Sequence, residues 1–273
     1  MNVLSLFDGI SVARVALDIA GIQVKNYYSA EIDKYAIQVS SKNYPDIKRL
    51  GSVCDISSNT FEPIDLLIGG SPCQDLSIAK KGRKGLDGDR SSLFWQYVRI
   101  REVVKPKWFV LENVASMPQK DRDIITEAMG VEPVMFNASL VSAQTRKRLF
   151  WTNIKFDLPM DRGIILKDIL QEDAEVDERM VNKDKKAYTL TSSYTKVSAS
   201  EKQINHNIAK KQRTMVKVGT ISRKLTPIEC ERLQSLPDNY TESISNTQRY
   251  ICLGNAFNAE VIAHIFKSLY ISE

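Results

Sequence analysis

Cys73 stands in the stretch Gly69-Gly70-Ser71-Pro72-Cys73-Gln74-Asp75-Leu76-Ser77, and its setting suits a nucleophile. The two glycines end an apolar run at 64–68, and Pro72 fixes the backbone just before the thiol. A lone thiol is more often a small core residue, but glycines, a proline and polar neighbours on both sides speak against a core position. Addition by a thiolate also needs an acid to draw off the charge it creates. Glu112, followed by Asn113 directly off the apolar run 108–111, is the candidate acid, because partial desolvation raises a carboxyl pKa. Gln144, Arg146 and Arg148 alternate, so in an extended segment they share a face, where two guanidiniums would hold an oxygen acceptor and a carboxylate. A solvated charge run is the plainer alternative, and Phe150 and Trp151 beside it argue against that.

The elements that must position these groups read as an α/β pattern. An apolar strand at 2–7 leads through Asp8-Gly9-Ile10-Ser11 into a helix with Val12, Val15, Ala16 and Ile19 on one face and Gly21 as its stop. A second strand at 24–30 ends at Glu31, a carboxylate placed where nucleotide-binding folds hold ribose hydroxyls. Only Gly9 of a possible G-x-G-x-x-G series is present, so a cofactor with adenosine but no pyrophosphate fits better than NAD. After a helix from 34 to 43, Asp55 closes a third short strand at 51–55. Taken alone it reads as a cap; its place after consecutive βα units makes it a candidate acceptor for an adenine amino group. The strand at 64–68 then delivers Cys73 beyond the carboxyl edge of a parallel sheet, where such sheets place their ligand crevice.

The rest of the chain supplies context. Residues 80–90 combine three glycines and five basic residues, among them Lys81, Arg83 and Lys84. Such a loop suits closure over a phosphate backbone, and a solvated surface loop explains it equally well. A helix from Leu93 stops at Pro106, and strands at 133–138 and 148–153 form a pair. From 159 to 219 the texture changes to a small insert, acidic first and then rich in lysine, with a polar, β-prone piece at 189–195 short of core residues. Thr226-Pro227 with Glu229 starts a helix, and Gly254-Asn255-Ala256 precedes a last one with Val261, Ile262, Ile265, Phe266 and Leu269 as its apolar stripe. Two divisions are therefore expected: 1–158 with 220–273, and the insert 159–219.

Composition bounds the partners. Net charge is +5 over 273 residues with 43% hydrophobic content, which suits a globular protein with a polyanionic partner. The four cysteines form no Cys-x-x-Cys pair and both histidines lie far from them, so no metal is expected. No apolar run reaches membrane-span length and the N-terminus lacks a signal pattern, so the expected location is the cytoplasm, with no membrane partner.

Together the motifs Phe7-Asp8-Gly9-Ile10, Glu31, Asp55, Pro72-Cys73-Gln74, Glu112-Asn113-Val114, Gln144-x-Arg146-x-Arg148 and Gly254-Asn255-Ala256 stand in family order, and the chain resembles the DNA (cytosine-5)-methyltransferases. The bacterial and phage type is the nearest in pattern. The eukaryotic de novo enzymes share Phe-Asp-Gly-Ile and a reduced recognition region but not the full Gln-x-Arg-x-Arg. Many members carry glycine where Ser11 stands. The resemblance implies a Rossmann-like methyltransferase sheet with a small target-recognition insert, acting on double-stranded DNA, with a monomer as the default. It places S-adenosylmethionine against Phe7, Gly9, Ile10, Ile32, Ile56, Pro72, Leu93, Asn255 and Ala256, with Glu31 on the ribose and Asp55 on the adenine. Cys73 would attack carbon 6 of a flipped-out cytosine, Glu112 would serve nitrogen 3, and Arg148 would bind the oxygen at carbon 2, braced by Arg146. Asn113 and the Pro72 carbonyl would hold the exocyclic amine, with Gln144 and the basic loop completing the substrate contacts. An RNA (transfer RNA) cytosine methyltransferase and an inert DNA-binding homologue remain open on these residues alone.

Overall fold

The computed structural model describes residues 1–57, 62–71 and 93–270. The first helical and strand elements follow in order: β1 (Asn2–Leu6), α1 (Val12–Ile19), β2 (Asn26–Ala30), α2 (Lys34–Asn43), β3 (Lys48–Arg49) and β4 (Leu66–Gly70). Next come α3 (Phe94–Val104), β5 (Trp108–Val114), α4 (Gln119–Met129), β6 (Val134–Asn137) and β7 (Lys147–Thr152). The remainder comprises β8 (Glu175–Val176), α5 (Glu201–Lys210), β9 (Met215–Val218), β10 (Ile221–Lys224), α6 (Pro227–Leu233), α7 (Asn246–Asn255) and α8 (Ala259–Lys267).

A seven-stranded sheet has the order β3-β2-β1-β4-β5-β7-β6. The first five strands are parallel, and β7 runs antiparallel to both β5 and β6. Strands of a parallel sheet are covered on both faces, so they read as unbroken apolar runs and their alternate residues feed two cores. Val3, Leu66, Ile68 and Val110 pack under α1 and α8 with Leu17, Ile262 and Phe266. Leu4, Leu67 and Leu111 pack on the other face with Phe94, Tyr97 and Ile125 from α3 and α4. The last helix thus returns beside the first, and both ends of the chain meet over β1.

Three expectations change. Asp55 does not end a strand: Gly51 turns left-handed (φ 73°) after β3, and Ser52 caps a 3-10 turn, Val53–Asp55, by accepting from Cys54 N at 3.1 Å. The segment 189–195 is not short of core, because a 3-10 turn at Ser192–Lys196 buries Tyr194, and Leu190 is buried beside it. The insert's antiparallel sheet, β10-β9-β8, runs on to Lys224, past residue 219. Its Met180, Leu190, Met215 and Val216 belong to one hydrophobic cluster with Ile10, Val15 and Leu253, so the insert packs directly on the turn after β1 and on α7.

Below the first turn lies a buried polar knot. Asp8 accepts from Ser11 Oγ (2.5 Å), Tyr27 Oη (2.7 Å) and Ser29 Oγ (2.8 Å), and Ser11 also bonds Ser40. Phe7, Gly9 and Ser11 all have left-handed backbone, with φ of 55°, 57° and 58°. The Ser11 hydroxyl bonds offset the cost of a non-glycine residue in that region.

Burial raises the phenol pKa of Tyr27, Tyr97, Tyr194 and Tyr240 above the ordinary value near 10. A group whose pKa is higher folded than unfolded contributes stability that is intact below about pH 10 and is lost as pH rises further. Urea-unfolding midpoints should therefore stay level from neutral pH to about 9 and fall steeply above about 10, in step with tyrosinate absorbance. A level midpoint through that upper range would contradict the burial of these phenols.

Candidate active site

A cavity of about 260 Å³ opens at the carboxyl edge of the sheet, at the crossing between β1 and β4 where the strand order reverses. Its walls come from Phe7, Asp8, Gly9, Ile10 and Val12 after β1, Glu31 and Asp33 after β2, and Gly70 and Ser71 leaving β4. Glu112 and Val114 of β5, Arg146 and Arg148, and the α7–α8 link close it. Of the predicted residues, Phe7, Gly9, Ile10, Glu31, Glu112, Arg146, Arg148, Asn255 and Ala256 all line it. Pro72, Cys73, Lys81, Arg83 and Lys84 lie outside the described residues.

Glu31 does more than end a strand. Its carboxylate accepts from the backbone N–H of Gly9, Ile32 and Asp33, each at 2.8 Å, tying the turn after β1 to the start of α2. A carboxylate accepts roughly four hydrogen bonds, so it retains capacity for a hydroxyl in the cavity. Asp33 caps α2 through Tyr35 N and Ala36 N, both at 2.9 Å. Apolar Phe7, Ile10 and Val12 face the same space. A carboxylate with spare acceptor capacity beside apolar walls suits an adenosine-type cofactor.

Glu112 and Arg148 meet. Arg148 Nε lies 2.7 Å from Glu112 Oε1, with the side chains 17% and 13% exposed. Strand register causes this: Glu112 pairs with Phe150, and Arg148, two residues away on antiparallel β7, is its diagonal neighbour on the same face. Gly70 pairs with Glu112 on the other side. A Cβ on Gly70 would sit 2.8 Å from the Phe257 ring and 3.0 Å from Glu112 Oε2, so only glycine leaves room for the carboxylate.

Other predicted residues are placed elsewhere. Asn113 follows Glu112 and so points to the opposite face. It is buried, donating to Ser71 Oγ at 3.1 Å while accepting from Val114 N, and it fastens the exit of β4 rather than lining the cavity. Gln144 and Arg146 precede β7, so the alternation that groups them with Arg148 does not extend to them. Gln144 is fully buried, with Nε2 donating to Leu233 O (2.6 Å) and Gln234 Oε1 (2.9 Å). Arg146, 3% exposed, reaches the cavity wall while donating to Leu190 O (2.8 Å) and Ala256 O (2.7 Å). Ile32 is 75% exposed, Asp55 is exposed, Ile56 is buried and Leu93 half-buried at the head of α3; none borders the described cavity.

Sequence reasoning missed Asp8, Asp33, Ile251, Cys252 and Phe257 as lining residues. Asp33 and Phe257 were findable as neighbours of Glu31 and Ala256; Ile251 and Cys252 sit within α7, which the pattern did not reveal. Burial pushes the Cys252 thiol up to about 12, with Asp33 and Glu31 adding to the rise, and burial raises Cys230 as well. Among the described residues no group of three or more His, Cys, Asp or Glu is disposed to hold a metal, and no helix is long and apolar enough to cross a membrane.

Comparisons with known proteins give the family of the chain. The family model for C-5 cytosine-specific DNA methylase matches residues 1–219 and 166–270. The type II methyltransferase M.HhaI of Haemophilus parahaemolyticus is 27% identical over 97% of this chain and 93% of its own length. The type II methyltransferase M.NlaX of Neisseria lactamica is also 27% identical, over 98% of this chain and 96% of its own. In fold, the chain is similar to the Entamoeba histolytica methyltransferase EhMeth, with TM-score 0.74 at 18% identity, covering 100% of this chain and 98% of that one. With a matching family model across nearly its whole length, the chain belongs to the C-5 cytosine-specific DNA methylases and is a DNA (cytosine-5)-methyltransferase.

Proposed function

We propose that this methyltransferase uses S-adenosylmethionine to methylate carbon 5 of a cytosine flipped out of double-stranded DNA, through a covalent bond to Cys73. The observation that carries this reading is the Glu112–Arg148 pair at the cavity wall, a carboxyl and a guanidinium side by side as nitrogen 3 and the adjacent carbonyl oxygen of cytosine require. When bound, S-adenosylmethionine supplies a methyl group on a positively charged sulfur. Glu31 would hold its ribose, and Phe7, Ile10, Asn255 and Ala256 would enclose the rest.

Carbon 5 of cytosine is by itself too weak a nucleophile. Addition of the Cys73 thiolate at carbon 6 pushes an electron pair into the ring. Glu112 would protonate or hydrogen-bond nitrogen 3 and Arg148 would bind the oxygen at carbon 2, so carbon 5 becomes enamine-like and accepts the methyl. Solvent water takes the carbon 5 proton, the C–H electron pair re-forms the carbon 5–carbon 6 double bond, and the carbon 6–sulfur bond breaks with its pair returning to the Cys73 thiolate. Asn113 acts from behind, holding Ser71 two residues before the thiol. Base flipping costs a few kcal/mol, which phosphate contacts must offset. Residues 183–217 hold nine basic residues against Asp184 and Glu201; with Lys186 buried on Asp161, the other eight still leave a surplus of six, above the whole chain's net charge of +5. That makes the insert the DNA-facing region.

Cys73→Ser should abolish methyl transfer while binding S-adenosylhomocysteine as the parent does in calorimetry; appreciable turnover in that variant would remove the covalent step. Glu112→Gln should lower the single-turnover rate by roughly 10²–10⁴-fold with near-parental S-adenosylhomocysteine affinity, and an unchanged rate would exclude Glu112 as the acid. Alkylation near pH 8 with mass-spectrometric mapping should label Cys54, which is exposed, and Cys73, and should spare Cys230 and Cys252 until the chain unfolds. Fast labelling of Cys252 in the folded protein would show that its thiol is not held protonated.

A further inference from the structure

The first two polar residues of Gln144-x-Arg146-x-Arg148 are built into a joint between three parts of the molecule. Arg146 donates to Leu190 O of the insert at 2.8 Å, to Gly254 O (3.3 Å) in the last turn of α7 and to Ala256 O (2.7 Å) of the α7–α8 link. Gln144 reaches the end of α6 through Leu233 O and accepts from Leu190 N at 3.3 Å. The backbones are stapled too: Thr145 N donates to Ala187 O and Ala187 N to Ala143 O, each at 2.8 Å, and the Thr189 hydroxyl donates to Thr145 O. On the opposite side Gly254 lies against the insert's chain so closely that a Cβ there would be 2.2 Å from Ser192 N and Thr191 C. Asn255, Ala256 and Phe257, the residues that follow, wall the cavity.

We infer that Gln144 and Arg146 are positioning residues rather than substrate ligands: they lock the insert to the wall of the cofactor cavity, so that both binding surfaces are set by one clasp. One guanidinium holds carbonyls from both sides. A change that moves Leu190 also moves the donors serving Gly254 and Ala256, and the dense contact at Gly254 leaves no slack to absorb it. Loosening the clasp therefore weakens DNA and cofactor binding together and disturbs the reading of flanking bases, while the Glu112–Arg148 pair, set by strand register, keeps its geometry. The inference rests on reading the cavity as the S-adenosylmethionine site and the insert as the DNA-facing region.

The test compares the parent with Arg146→Lys, which keeps the charge but loses the planar fork, and with Thr189→Val, which removes one clasp bond from the insert side. Affinity for a labelled duplex of mixed sequence is read without cofactor, and affinity for S-adenosylhomocysteine without DNA. Methylated contexts are read by bisulfite sequencing, and methyl transfer as a single-turnover rate at saturating DNA and cofactor. Arg146→Lys should weaken both affinities by about tenfold and broaden the methylated contexts, with the saturated single-turnover rate within about threefold of the parent. Thr189→Val should shift both affinities in the same direction by a smaller factor. A loss confined to the single-turnover rate would make Arg146 a catalytic residue, and a lowered unfolding temperature with both affinities intact would make it merely structural; either overturns the inference. Should Arg146→Lys not fold, unchanged affinities in Thr189→Val overturn it as well. A parent protein that binds no S-adenosylhomocysteine, or no duplex, would instead remove the functional reading on which the inference stands.

Discussion

The register of β5 between β4 and β7 is the constraint on which the site depends. It sets Glu112 opposite Gly70 on one side and diagonal to Arg148 on the other. A slip by one residue would turn the carboxyl to the opposite face and bring Asn113 in its place. Register is held by burial on both faces, since Val110 and Leu111 feed two different cores, and neither could be exchanged without exposing the other. The acid and its arginine are thus consequences of core packing, and their pairing needs no loop to fold correctly first.

Around this centre the carboxyl edge collects groups from distant parts of the chain. The turn after β1 is held by the Asp8 hydroxyl knot beneath and by Glu31 accepting from Gly9 above. Its left-handed residues are stable because these bonds over-determine the turn. From the other end of the chain, α8 packs on α1 and so brings the α7–α8 link to the same cavity. Glu231 and Glu229, both fully buried, organise the approach to that link. Glu231 accepts from Arg249, Thr241 N and Asn239 N, while Glu229 pairs with Arg223 and closes the capping box on Thr226. These carboxylates are paired inside the protein and so are structural, in contrast to Glu31 and Glu112, which face open volume.

The succession of strands along the chain and the edge on which the acids appear were legible because parallel strands announce themselves as apolar runs, and residues just past such runs fall at one edge. Glu31 and Glu112 were found in this way. Capping chemistry was equally local: Thr226, Pro227 and Glu229 start α6 as their types require. Asp55 misled because Gly51 and Ser52 can end one element and cap another, and the turn they cap is not a strand. Leu190 and Tyr194 misled because a polar stretch with two large residues shows its buried face only against a partner.

By itself, then, the sequence determined the α/β architecture, the carboxylates at its ligand edge and the chemistry those residue types allow, since periodicity and strand termini are local properties. Tertiary structure alone decided how the Gln144–Arg148 stretch divides. Arg148 enters β7 and meets Glu112, whereas Gln144 and Arg146 lie before the strand, where alternation no longer sets direction, and turn to carbonyls from Leu190, Leu233 and Ala256. Those partners lie tens of residues away in the chain, and no local pattern encodes which carbonyls a buried guanidinium or amide will find. Burial then requires each polar group to be satisfied where packing has left it.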